Sequence, residues 1–477
     1  MNKGIDLLLV NSFAPRYRNV SDAALENSLA IIRTYLEDRG YNIQVIDEQR
    51  VTGIEEGVPR WILRLLRRII QTQLKVHTTD FKFGKIMLVL VSWPLHVATL
   101  YFRRKYMAKI SGKIVKLVRE KQIPMIGIKL WSGDSYKWSA LLSHKIRQAI
   151  PEAVVVAGGP HVKVYGENVL AQNEFDLAIM GPGEEPLERL LRLRKIAKNK
   201  AAFLKLVSQG ISPTPLIRSG QFCDESLLPA SLATIPRYTQ NDLEDKILFH
   251  TIVDAVGCTW NKCYFCSHTR QQSQYTPRPI PQIRDEIVAM LQQGIAFFRF
   301  SSSETPIYHG KAIAHMLLEN KINIRYSMFV RAGQSSQETY DAYRLMIESG
   351  LRAVFMGGET AHDLINDKVM NKGVKRKDIL ETIQCIKLAA ANVGVPCQVG
   401  LALIYPCPVL PKVNLETIFE ENLRLVAEAL PDTVIVNPPG IFPGTVWFEQ
   451  AASFGFKVDE KFTRQLMQYE YSIYKPA

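Results

Sequence analysis

The chain has 477 residues, 47% hydrophobic and 22% charged, with a formal net charge of +13 from 59 Lys+Arg against 46 Asp+Glu. That composition suits two or three folded domains with sizeable cores, and it excludes a long disordered or collagen-like chain. Seven cysteines, three of them between positions 258 and 266, argue against a disulfide framework and for a metal site in a reducing compartment.

The first residues, MNKGIDLLLVNSF, run straight into an apolar strand without the pattern of a secretory leader, so a cytoplasmic location is expected. Residues 4–13 read as a buried parallel strand and 21–41 as a helix capped by Ser21 and stopped at Gly40. A second strand follows in YNIQVIDEQ. From about 50 to 115 the alternation is interrupted by an insertion. Residues 59–74 form a basic amphipathic helix with Arg64, Arg67 and Arg68, and Ile86 to Phe102 is 17 residues without a formal charge. A buried helical insertion is the first reading of this stretch, contact with a membrane surface through 59–105 the second, and a true span the third.

Strands at 124–131, 153–159 and 176–180 then alternate with helices at 137–150, near 166–172 and after Glu184. That is the order of a doubly wound parallel sheet, and it places one domain at 1–190. Residues 191–245 lose this periodicity and read as a linker. From 246 to 477 six further strand–helix units follow, with strands at 246–256, 296–303, 322–330, 351–358, 397–405 and 432–440. Six units are too few for a closed eight-stranded barrel, so an open partial (β/α)6 barrel is expected.

The segment VGCTWNKCYFCSH carries Cys258, Cys263 and Cys266 in the spacing C-x4-C-x2-C, just beyond the first strand of the second half. Loops at the C-terminal ends of parallel strands line active sites, and thiolates there hold soft metal centres. Three close cysteines with no nearby fourth leave one metal position open. The competing reading is a Cys3His zinc site completed by His268, but the C-x-H spacing is cramped for a tetrahedral knuckle. The other cysteines, Cys385, Cys397 and Cys407, read as core thiols, with Cys407 also placed to face a cavity after the fifth strand.

CTWNKCYFC resembles the cluster loop of the radical S-adenosylmethionine superfamily, in the form found among cobalamin-binding members that include C-methyltransferases and peptide maturases. The resemblance implies a 4Fe–4S cluster on the three cysteines, with S-adenosylmethionine chelated to its open iron and cleaved to a 5′-deoxyadenosyl radical. Phe265 takes the aromatic position beside the adenine. GLRAVFMGGETAHDLINDKVMNKG (350–373) is similar to the fourth-strand region, with Glu359 and Lys372 in its marked places. IFPGTVWFE (441–449) is similar to the P-G-T segment after the sixth strand. Where many relatives have Gly-Gly-Glu after the second strand, this chain has SSSETP, leaving Ser303 and Glu304 as stand-ins. Arg331 is an expected partner for the methionine carboxylate because its charge is forked.

In the first half, AGGPHV (157–162) and MGPGEEPL (180–187) resemble the cobalamin-binding domain fused to such enzymes, and IKLWSGD (128–134) resembles its preceding strand and loop. The resemblance implies cobalamin contacts at Ser132, Gly158, Gly159, His161, Gly181 and Glu184. There is no D-x-H-x-x-G signature, so no histidine lower ligand is implied, and His161 is a structural residue or a propionamide contact. Glycines at strand ends also occur as plain tight turns.

The implied reaction is radical methylation of an unactivated carbon with methylcobalamin as methyl donor. The alternatives are cobalamin-assisted cyclisation or rearrangement, an RNA methylthiotransferase-like enzyme, and a cobalamin- or metal-binding regulator. Methylthiotransferases carry N-terminal cluster cysteines, whereas the first cysteine here is Cys223. The expected substrate is a peptide, a lipid or a small natural product, the expected electron donor a flavodoxin or ferredoxin, and no nucleic acid partner is expected.

Overall fold

The structure is a computed structural model that describes residues 4–12, 23–52, 57–77, 82–131, 133–219, 233–268, 275–457 and 473–474. The chain divides into two units, one of residues 1–225 with 236–247, the other of 226–235 with 248–477.

The first unit is a six-stranded, wholly parallel sheet. Its strands are β1 (Leu7–Asn11), β2 (Ile43–Ile46), β3 (Met125–Lys129), β4 (Val154–Gly158), β5 (Leu177–Met180) and β6 (Leu216–Arg218), in the order β2-β1-β3-β4-β5-β6. The strands are continuous apolar runs because helices cover both faces: all five residues of β1 are buried. The helices are α1 (Asn27–Glu37), α2 (Arg60–His77), α3 (Lys82–Lys121), α4 (Asp134–Ala149), α5 (Pro160–Tyr165), α6 (Glu184–Ile196), α7 (Lys200–Gly210) and the short α8 (Gln240–Leu243).

Several sequence expectations are revised here. The expected cap Ser21 lies outside the described residues, and α1 begins only at Asn27, with no side-chain cap at Glu26. The helix expected near 166–172 is a single 3-10 turn, Gly166–Leu170. The stretch 191–245 is not plain linker: it holds the end of α6, α7, the edge strand β6 and α8. A three-residue edge strand is too short to show a period, which is why it was illegible. The insertion also ends earlier than residue 115. Met107, Ile110, Ile114 and Val118, on one face of α3, join the core under β1, β3 and β4, so the second half of α3 is the crossover helix between β2 and β3. The first half pairs with α2 around Ile62, Leu66, Leu95 and Phe102. Helix α3 is the one described helix long and apolar enough to cross a membrane by length and composition.

The second unit is also a six-stranded parallel sheet. It comprises β7 (Phe249–Ile252), β10 (Phe297–Phe300), β11 (Arg325–Val330), β12 (Leu351–Glu359), β13 (Gln398–Ile404) and β14 (Thr433–Asn437) in the order β14-β13-β12-β11-β10-β7, with β7 and β14 left unpaired with each other. A two-stranded ribbon, β8 (Ala255–Val256) with β9 (Thr276–Pro277), follows β7. The helices are α9 (Ile280–Gln292), α10 (Ile307–Glu319), α11 (Gln337–Glu348), α12 (Asp363–Lys368), α13 (Arg376–Val393), α14 (Leu415–Ala429) and α15 (Val446–Glu449). Asn414 and Ser336 cap α14 and α11 through their side chains. This is the expected open (β/α)6 array.

Strand β7 is tied to α9 by a buried charge group. His250 Nε2 lies 2.7 Å from Glu286 Oε1, and Arg278 reaches Glu286 Oε2. All three residues are at most 4% exposed as side chains. Burial pushes the Glu286 carboxyl up, but the hydrogen bond with His250 and the charge of Arg278 outweigh it and hold the group below its ordinary range. A carboxylate depressed in the folded state adds stability above its unfolded value, and that stability is lost as pH falls through the folded value. Glu286→Gln is therefore expected to destabilise the protein by about 3 kcal/mol at neutral pH, because Arg278 is left buried without its counter-charge. Urea denaturation should also show a shallower loss of stability on acidification in the variant than in the parent protein.

Candidate functional site

The cysteine loop leaves β8 through Gly257, whose φ of +87° is left-handed. Cys263 is buried, Cys258 and Cys266 are partly exposed, and none of the three is in a disulfide. Burial pushes the Cys263 thiol up to about 12, against the pull of Lys372 and Arg331. A bound cation inverts that balance and deprotonates a ligating thiol outright. Among the described residues no three Cys, His, Asp or Glu side chains are gathered as ligands around one point. An iron–sulfur cubane takes each cysteine on a different iron, so its ligands need not converge as those of zinc must. The histidine of the zinc alternative is engaged elsewhere: His268 Nδ1 lies 2.6 Å from Ser303 Oγ. Three cysteines outside any disulfide, on a loop with two cations near Cys263, therefore fit an anionic cluster with an open position.

The loop is clamped by the segment that follows α12. Trp260 Nε1 donates to the Asn371 carbonyl at 2.8 Å, Asn371 Nδ2 donates to the Lys262 carbonyl at 2.8 Å, and Tyr264 N donates to the Met370 carbonyl at 3.0 Å. Gly373 has φ +63°, and a Cβ there would stand 2.3 Å from the Trp260 ring. Glycine is required twice over, by conformation and by space. From the other side, Trp447 N donates to the Tyr264 carbonyl at 3.1 Å, and Trp447 Nε1 to that of Val369 at 2.9 Å. Tyr264 and Phe265 pack on the apolar cluster of Ile365, Met370, Ile441 and Trp447.

The residues expected around S-adenosylmethionine are placed against this loop. Glu304 is 5% exposed and locks the loop start, accepting from Thr259 N at 2.8 Å and from Thr259 Oγ1. Ser303 holds His268. Arg331 lies over the Trp260 ring, 4.6 Å from its centroid, and donates to the Lys372 carbonyl. Glu359 accepts from Lys372 Nζ at 2.7 Å, and that ammonium lies 5.9 Å from the Phe265 ring centre. Burial lowers Lys372, but Glu359 and Cys263 outweigh it and raise it, so it stays charged. Glu359 itself has φ +59° at a register shift between β12 and β13. A non-glycine residue in that region is strained and marks a place the surroundings over-determine. Gly357 makes room for the pair, since a Cβ there would meet Glu359 Oε1 at 2.3 Å.

Sequence reasoning did not single out Trp260, Thr259 or Asn371, nor Asp254 between β7 and β8. Asp254 is fully buried and accepts from Ser302 N at 3.1 Å and Thr305 Oγ1 at 3.0 Å, which orders the SSSETP turn. The repeated polar residues of that turn were the available signal. Cys407, expected as an option for the cavity, is 0% exposed inside the apolar cluster with Trp447, and Cys385 and Cys397 are buried too. All three are core thiols.

In the first unit the strand order 2-1-3-4-5 reverses direction between β1 and β3, and the carboxyl edge there is where doubly wound sheets take ligands. Gly158 ends β4 with open space where a Cβ would stand. Gly159, at φ +91°, presses on Leu130, and Gly181, at φ +108°, on Ser219; a Cβ would come within 2.9 Å of Lys129 Cγ in the first case and 1.9 Å of Ser219 Oγ in the second. Ser132 lies outside the described residues. His161 is 1% exposed and sits between the rings of Tyr136 and Tyr165, at 4.6 and 4.5 Å, so its imidazole is a core group rather than an edge contact. Glu184 starts α6, is 3% exposed, and its Oε2 has no hydrogen-bond partner. Burial, with the nearby Glu185, pushes its carboxyl up to about 7. A glycine-lined edge with a buried, unsatisfied acceptor fits a large ligand bearing amide N–H groups, as cobalamin is.

Residues 105–191 match the B12 binding domain family and residues 252–420 the radical SAM superfamily. Among solved structures, the radical S-adenosylmethionine methyltransferase TsrM from Kitasatospora setae, with tryptophan substrate and a SAM analogue bound, is 15% identical over 95% of this chain and 77% of its own, with a TM-score of 0.58. A second TsrM structure holds cobalamin and a [4Fe-4S] cluster, at 15% identity over 94% of this chain and 74% of its own, with TM-score 0.58. The cobalamin-dependent S-adenosylmethionine radical enzyme OxsB is 14% identical over 98% of this chain but only 56% of its own, with TM-score 0.55. A search of curated proteins gave no match. With a B12 binding domain followed by a radical SAM domain on one chain, the protein belongs to the cobalamin-binding radical S-adenosylmethionine enzymes, whose cofactors are a 4Fe–4S cluster, S-adenosylmethionine and cobalamin.

Proposed function

We propose that the protein methylates an unactivated carbon by radical chemistry, with Cys258, Cys263 and Cys266 as the cluster ligands. The observation that carries the proposal is the cysteine loop itself: three cysteines outside any disulfide on one clamped loop, beside two cations, on a chain that also presents a glycine-lined B12 domain edge. When bound, the cofactors supply a carbon radical and a methyl group, chemistry no side chain offers. The chain's own residues bind, orient and exclude water. Lys372 and Arg331 place positive charge beside the thiols. Phe265 offers a backbone and ring edge for an adenine, and Glu359 and Arg331 are the polar partners at hand for a ribose and a carboxylate. Ser303 and Glu304 act through the loop, holding His268 and Thr259. Gly158, Gly159 and Gly181 let a corrin approach the backbone, and Glu184 accepts from one of its amides, while His161 supports the edge from within the core. The methyltransferase TsrM shares the fold, which supports methyl transfer over rearrangement. The substrate is a peptide, lipid or small natural product, and the electron comes from a flavodoxin- or ferredoxin-type donor.

Two measurements test the reading. Anaerobic reconstitution should give about four irons per chain in the parent protein and none in the Cys258/Cys263/Cys266 triple alanine, with cobalamin retained by both. Iron without cobalamin would remove the methyl-transfer proposal, and zinc in place of iron would overturn both halves.

The second concerns Glu184. A carboxyl raised from its ordinary 4.5 to about 7 holds a proton that the unfolded chain releases, so the cobalamin-free protein loses stability as pH rises between those values. Glu184→Gln should remove that slope in thermal melts. If Glu184 accepts from the ligand, cobalamin should bind more tightly to the parent protein as pH rises through about 7, and the variant should show no such rise. Equal cobalamin titrations for the two proteins at every pH would reject the contact.

A further inference from the structure

Helix α3 has an inner face and an outer face set by packing. Ser92, Leu95, Thr99 and Phe102 turn toward α2, and further along the same side Met107 and Ile110 reach the core of the sheet. The two hydroxyls on the inner face are satisfied within the helix, Ser92 by the Val89 carbonyl at 3.0 Å and Thr99 by that of Leu95 at 2.8 Å. The opposite face follows from 100° per residue: Leu90, Trp93, Val97 and Tyr101 form one stripe. They are 60%, 67%, 46% and 62% exposed. After Tyr101 the same outer face changes character. Arg104, Lys105 and Lys109 replace the apolar residues, as expected of a helix that simply meets water.

The charge around the stripe has one sign. Between Pro59 and Arg119 the sole acidic residue is Asp80. On α2, Arg64, Arg67 and Arg68 are exposed, together with the rings and chains of Trp61 and Leu65. An apolar stripe flanked by unbalanced cations and by indole and phenol rings is complementary to anionic headgroups over an acyl layer. A second copy of this chain would bring like charges together. The stripe from Ile86 to Tyr101 is about 24 Å long, short of the roughly 30 Å of a hydrocarbon core, and α2 brings arginines alongside it. A helix of this kind lies in the interface rather than across it.

We propose that the α2–α3 hairpin docks the enzyme on the surface of an anionic lipid bilayer, with the outer stripe of α3 in the acyl boundary and the arginines and lysines on the phosphates. The test uses reconstituted full-length protein and sedimentation with vesicles of phosphatidylcholine alone or of equal parts phosphatidylcholine and phosphatidylglycerol. The protein should pellet with the anionic vesicles, remain in solution with the neutral ones, and be released by salt. Arg104→Glu with Lys105→Glu should weaken partition at least about tenfold, and Leu90→Glu with Val97→Glu should do the same. Both pairs are exposed, and unchanged circular dichroism and iron content would show that fold and cluster are intact. Failure to bind anionic vesicles would overturn the proposal, as would binding that neither pair alters. So would a dimer in light scattering that Leu90→Glu with Val97→Glu dissolves, since that would assign the stripe to a second copy.

Discussion

The cysteine loop depends on one residue having no side chain. Because Gly373 is glycine, the Trp260 ring lies against the backbone of the Met370–Gly373 turn, and from there its indole N–H reaches the Asn371 carbonyl. The seated ring becomes the floor on which the Arg331 guanidinium rests, and Arg331 in turn holds the Lys372 carbonyl. Lys372 then faces Glu359 and the neighbourhood of Cys263. Within its nine residues the loop bonds its own backbone from Cys266 N to the Cys263 carbonyl, and its shape is set mainly from outside. The indole wedge supplies it, and the backbone bonds through Tyr264 to Met370 and Trp447 fix the far end.

The two units solve opposite electrostatic problems. In the second unit an anionic cluster would call for positive charge, and Lys372 is kept charged at low exposure by Glu359, which is itself held in a left-handed conformation. That strain, on the order of 1–3 kcal/mol, persists because the Lys372 pair and the β12–β13 register over-determine it. In the first unit the glycine-lined sheet edge leaves open space at Gly158. Glu184, buried at the start of α6, has no cation among the causes of its shift and is pushed toward its neutral form. Such an acceptor is costly to bury unless a ligand completes it.

What could be read from the sequence follows from how local each signal is. Parallel strands announce themselves as apolar runs, so all twelve strands of the two sheets but β6 were legible, and the cysteine spacing marked the candidate cluster loop within nine residues. The clamp was not legible, because Trp260 and Asn371 are 111 positions apart and neither forms a motif alone. Glu304 and Ser303 drew notice by their position in the turn, but their partners, Thr259 and His268, are set by packing across 45 and 35 residues. His161 left two readings open in sequence, a structural residue or a propionamide contact, because only packing places its ring between Tyr136 and Tyr165.

Helix α3 shows how a boundary can be invisible to periodicity and still matter. The insertion and the crossover helix are one continuous helix of 40 residues, about 60 Å long, so no turn signal separates them. Only burial does, with Met107, Ile110, Ile114 and Val118 anchored in the sheet core and the preceding turns packed on α2 and the Gly57–Val58 segment before it. Continuity has a mechanical consequence. The projecting half takes its direction from the anchored half, because a hydrogen-bonded helix transmits orientation where a flexible linker would lose it. Pro94 is the one interior residue that removes a backbone bond, and it lies well outside the anchored part, so any bend it introduces leaves the register of the core half untouched.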